Sequence, residues 1–130
     1  MKILIVEDDR EKRLFLEYNL KKKNIEICLF SSVNPAIRYV VQYANQIDGI
    51  ILDLGLTSYD SSDDYSFTKG LNLVKELTRK RIEIPILINS STYVNLPNLM
   101  ESNSNVKDQM YCAYDHTKLR WFINLLRKEQ

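Results

Sequence analysis

"KILIVEDDR", residues 2–10, carries four consecutive apolar residues directly into Glu7, Asp8 and Asp9. A run of that kind reads as a strand buried on both faces of a parallel sheet. Three carboxylates at its end are unfavourable by themselves, because neighbouring like charges repel and raise each other's pKa. Something positive, a cation or a basic side chain, is therefore expected beside them. The pattern recurs at "GIILDL", residues 49–54, where a continuous apolar run closes on Asp53.

Size and charge limit what that positive partner serves. With 130 residues, 45% of them hydrophobic, the chain fits one domain, residues 1–130, with a core of its own. Eighteen Lys and Arg against seventeen Asp and Glu give a net charge of +1. That balance lacks the basic excess of a general nucleic-acid or membrane-surface binder, so no direct nucleic-acid or membrane partner is expected and function is local. No apolar run approaches bilayer length and the N-terminus has no signal-peptide pattern, so a cytoplasmic protein is expected. Cys28 and Cys112 form neither a C-x-x-C pair nor a disulfide framework, and Cys28 reads as a core residue.

Outward from the opening strand, short apolar runs alternate with helical patterns. Strands are predicted at 2–6, 25–30, 47–54, 84–89 and, more faintly, 107–113. A helix over 10–23 places Leu14, Leu16, Tyr18 and Leu20 among charges. A second helix has Asn34 and Pro35 as N-cap and first residue and an apolar face of Ala36, Ile37, Val40, Val41 and Ala44. Leu71, Val74 and Leu77 mark a third. Pro97 belongs at a helix end, which allows only about two turns after it. Leu119, Phe122, Ile123 and Leu126 recur at i, i+3, i+4 and i+7 and mark the last.

Strand and helix in alternation imply an α/β fold, a parallel sheet covered on both faces and joined by right-handed crossovers. In such open sheets the functional site lies beyond the carboxyl ends of the strands. Glu7, Asp8, Asp53 and Ser90 all stand at those ends. Separate strands would thus bring carboxylates and a hydroxyl to one pocket, suited to a hard, oxygen-seeking cation, with magnesium (Mg2+) expected.

Three of these segments, taken in order, resemble the response-regulator receiver domain of two-component signalling. "ILIVEDD" resembles that family's first strand and acidic pair, "IILDLGL" its third strand and phosphoacceptor, and "IPILINSS" its fourth strand and hydroxyl residue. The resemblance spans essentially the whole chain. It implies a three-layer flavodoxin-like fold with five helices and a five-stranded parallel sheet in the order 2-1-3-4-5. It also implies that Asp53 accepts a phosphoryl group from a histidine kinase or phosphotransfer protein. Magnesium would be held by Asp8, Asp53, the Gly55 carbonyl and, through water, Glu7, while Ser90 would bond the phosphoryl group and be drawn inward. A switch acting on a downstream protein or effector domain follows, not a turnover enzyme. A magnesium-dependent phosphohydrolase would want nucleophile and acid pair together after the first strand, and flavin binding would want a phosphate loop where the acids stand.

The chain also departs from that family. Counted without gaps from Ser90, Cys112 stands where the family has a lysine and Ala113 where a proline follows; a shifted alignment puts Tyr114 there, so neither register restores the amine. Gln109 takes the place of the aromatic that moves on activation. These departures favour an alternative, an atypical receiver acting as a phosphorylation-independent interaction module. From Asp53 to Gly70 is 17 positions (70 − 53), about twice the family's separation. The added stretch 57–68, "TSYDSSDDYSFT", reads as a solvated insertion, a lid whose Asp60, Asp63 and Asp64 add oxygens to the pocket, or a partner-recognition segment. The basic runs 21–23 and 79–81 suit helix ends. His116 reads as a surface residue and Cys112 as inert. Trp121 and Leu125 lie off the core stripe of the last helix and Tyr111 and Tyr114 precede it; together they form a partner or homodimer face, unless the helix simply presents a wide arc to the core.

Overall fold

A computed structural model gives the chain's architecture. The structure describes residues 1–54, 65–91 and 94–129, with 65–69 by backbone alone. The strands are β1 (Lys2–Val6), β2 (Glu26–Phe30), β3 (Gly49–Leu52), β4 (Ile86–Asn89) and β5 (Val106–Met110). They alternate with α1 (Arg10–Lys21), α2 (Val33–Tyr43), α3 (Tyr65–Arg79), α4 (Leu96–Ser102) and α5 (His116–Lys128). All strand pairings are parallel, and the order is β2-β1-β3-β4-β5.

Alternation along the strands sorts side chains onto two faces. Leu4, Val6, Ile50, Leu52, Ile86 and Ile88 point to one core, closed by Val33, Ala36 and Val40 of α2 and Leu73, Val74 and Leu77 of α3. Ile3, Ile5, Ile51 and Leu87 point to the other, closed by Leu16 and Leu20 of α1 and by Leu119, Phe122, Ile123 and Leu126 of α5. Both faces of the central strands are therefore apolar, as their unbroken hydrophobic runs require. Cys28 is only half-buried, against the first core, with its Sγ 3.3 Å from the Tyr39 hydroxyl.

Several boundaries differ from the sequence expectation. α2 starts at Val33, with Ser32 as N-cap instead of Asn34, because Val33 is itself a core residue. Pro35 is tolerated in that first turn, where its missing N–H would have no partner within the helix. Pro97 likewise sits inside the first turn of α4, behind the N-cap Asn95, whose side chain accepts from the Asn98 N–H. β5 ends at Met110, opposite Asn89, and Tyr111 and Cys112 beyond it are exposed. Residues 65–68 of the added stretch open α3, so it is not loop throughout.

Candidate functional site

Register decides which polar residues meet. Val6 of β1 is level with Leu52 of β3, which is level with Ile88 of β4. The next residue on each strand is Glu7, Asp53 and Asn89, and by alternation all three follow Ile5, Ile51 and Leu87 onto the α1/α5 side. A row of three polar side chains thus closes the apolar core at the carboxyl edge of the sheet. All three are buried, as is Ser90 one residue further along β4. The backbone holds the row in place, since the Asp53 N–H donates to the Val6 carbonyl and the Glu7 N–H to that of Phe30.

Asp8 joins the row from the turn into α1. Glu7, Asp8 and Asp53 each offer a carboxylate oxygen, and these atoms lie within 4.8 Å of one another. Asp9 has a different task. Its Oδ1 accepts from the Glu11 N–H at 2.8 Å and the Lys12 N–H at 3.3 Å, making it the N-cap of α1. The opening run of acids therefore divides into two pocket residues and one helix cap.

Electrostatics follow from burial. Glu7 is pushed up to about 8, first by its removal from water, then by a hydrogen bond and like charge from Asp53; the Asp9 N–H and the more distant Lys12 charge pull the other way. At neutral pH Glu7 therefore holds its proton beside Asp53. The Glu7 Oε2 accepts from the Asp9 N–H at 3.2 Å, and Asn89 offers its Nδ2 to Oε1 at 3.5 Å. A divalent ion that displaced the proton would meet oxygen donors throughout, a set that fits magnesium.

No protein-family model and no curated protein matches the sequence. Solved structures do match. The response regulator receiver protein from Pseudoalteromonas atlantica superposes with a TM-score of 0.80 at 17% identity, covering 99% of this chain and 98% of its own. A two-component response regulator from Clostridium difficile gives 0.75 at 22%, covering 98% and 96%. The BeF3-activated N-terminal receiver domain of Klebsiella pneumoniae RstA gives 0.73 at 21%, covering 98% and 99%. The chain has the receiver-domain fold.

Within the receiver fold, the expected residues divide clearly. Glu7, Asp8 and Asp53 are brought together, and Ser90 directly follows the adjoining strand β4. Gly55, Asp60, Asp63 and Asp64 lie outside the described residues, as does residue 57. Asn89 escaped the sequence reading; its signal was a lone amide closing the apolar run "ILIN", whose facing depended on register. Gln109 is buried, and its Nε2 donates to the Ser90 carbonyl at 2.7 Å, while the Ser90 N–H donates to the Met110 carbonyl at 3.2 Å. Cys112 is exposed beyond the end of β5. Of the surface set, Tyr111, Tyr114 and Trp121 are exposed, but Leu125 packs against the core. The Tyr114 ring meets Phe15 edge-on at 5.1 Å, and the Lys118 ammonium lies 5.3 Å from the Trp121 ring centre. His116 is exposed, with its ring against Phe15. No helix among the described residues is long and apolar enough to cross a membrane.

Proposed function

We propose that this chain is a cytoplasmic phosphoryl-accepting signalling switch, modified on Asp53 by a histidine kinase or phosphotransfer protein. The observation that carries the reading is the convergence of Glu7, Asp8 and Asp53, from the ends of two strands, within 4.8 Å. Asp53 attacks the phosphorus of a phosphoimidazole donor. An O–P bond forms, the N–P bond breaks, and the departing imidazole nitrogen takes a proton from solvent. Asp8, Asp53 and, through water, Glu7 would hold magnesium, which would neutralise the charge that gathers on the phosphoryl oxygens. Ser90 donates its hydroxyl to one of those oxygens. Because the Ser90 N–H and carbonyl are both bonded to β5, displacement of Ser90 moves β5 with it. The exposed Tyr111 and Trp121 beyond that strand are where a downstream protein, or a second copy, reads the change. The chain is a switch and not a turnover enzyme.

One observation favours the rival reading of a phosphorylation-independent module. Gln109 is buried and bonded to Ser90, so the position of the mobile aromatic holds a fixed amide, and Cys112 offers no cation. Intact mass after incubation with acetyl phosphate and Mg2+ separates the two. A single phosphoryl adduct, absent from Asp53→Asn, supports the switch; no adduct at any time supports the module. Cys112→Lys is expected to increase the adduct, by returning a charge-assisted contact to the phosphoryl group.

A further inference from the structure

A second polar feature lies away from the acid row, between the end of α1 and the start of α5. There a cavity of about 110 Å³ is lined by Asn19, Lys22, Lys23, His116, Leu119 and Arg120. No lining residue is acidic. Among the described residues, none of Lys22, Lys23, His116 and Arg120 forms an ion pair, whereas Lys118 on the next face of α5 is bonded to Asp108.

Lysines at a helix C-terminus ordinarily answer its unsatisfied carbonyls. Here the backbone has already done so for three of the last four. The Tyr18, Leu20 and Lys21 carbonyls accept from the N–H groups of Lys22, Lys23, Asn24 and Ile25. Asn24, at φ 61°, makes the left-handed turn that closes this cap. Lys22 is steadied by the Tyr18 ring, 5.6 Å from its ammonium. Asn19 is anchored by donation to the Phe15 carbonyl at 2.8 Å. The first turn of α5 adds a partial positive charge, although its N-cap Asp115 accepts from the Lys118 N–H.

We propose that this cavity binds a small phosphate-bearing anion, free phosphate or the terminal group of a monoester, between Lys22, Lys23 and Arg120. The cavity is open to solvent on one side and large enough to admit a phosphate group. Arginine supplies planar paired donors to two oxygens, and the lysines supply charge. Fixing α1 to α5 through a shared anion ties together the two helices that cover the acid row's face of the sheet.

The test is a metal-free NMR titration of the full chain with inorganic phosphate, against sodium chloride at matched ionic strength. Saturable amide shifts confined to Asn19, Lys22, Lys23, His116 and Arg120 are expected, absent with chloride. Lys23→Gln with Arg120→Gln, shown folded by an unchanged thermal midpoint, is expected to weaken binding about tenfold. Asp53→Asn is expected to bind as the parent does, which separates this site from the phosphoacceptor. Glycerol 3-phosphate saturating the same residues would identify a monoester site, and its exclusion a site for the free ion. Linear shifts spread over all exposed basic residues, or saturation untouched by the double substitution, would overturn the proposal.

Discussion

Glu7 is the residue on which the site's chemistry turns, because burial and Asp53 together hold its proton to about pH 8. Its folded pKa lies above the ordinary carboxyl value of 4.5, so the folded protein binds the proton more tightly than the unfolded chain. The resulting stability is fully present below about pH 4.5 and is lost as pH rises through about 8. In a chelator, the thermal midpoint should therefore fall as pH is raised from 6 to 9, to an extent that Glu7→Gln removes; a slope unchanged in that variant would contradict the assignment. Asp53→Asn replaces a like charge with an amide that can donate to Glu7. It should raise metal-free stability at pH 8 by about 1 kcal/mol in a urea melt while abolishing phosphoryl uptake. Asn89 donates to Glu7 from the other side of the row, so Asn89→Leu should push the Glu7 pKa higher and weaken divalent-ion binding at neutral pH, read by calorimetry.

Elements position these residues, and one contact sets how closely. Gly70 of α3 packs on the backbone beside Asp53: a Cβ there would lie 2.8 Å from the Leu54 Cα and 3.1 Å from the Asp53 carbonyl oxygen. Gly70→Ala must push α3 from the end of β3, at a cost of about 1–3 kcal/mol in denaturant unfolding and with weaker ion binding. Unchanged stability would mean that α3 shifts freely. This scale also shows what the sequence made legible. Both acids close an apolar run, so their place at the carboxyl edge of the sheet could be read from "KILIVED" and "GIILD"; that they share a side rests on Ile5 being level with Ile51. Asn89 could not, since its place in the row depends on β4 being level with β3. The end of β5 was likewise hidden: a register irregularity beside Ile86 shifts its pairing, and nothing local in "KDQMYCA" marks where the ladder stops. α2 began early because Val33 was needed by the core, a tertiary demand that outweighed the Asn-Pro signal at its side.

At the scale of the molecule, the sheet keeps two apolar cores apart and presents one polar edge, and the central claim is that this edge is a divalent-ion site beside a modifiable aspartate. The claim joins geometry to proton balance, because an ion entering the carboxylate cluster must displace the proton that Glu7 holds. Magnesium titration by calorimetry at pH 7, in two buffers of different ionisation enthalpy, reads both at once. The account predicts saturable binding with release of about one proton per ion, and Glu7→Gln that still folds but releases none. Absence of saturable binding, or proton release that persists in Glu7→Gln, would contradict it.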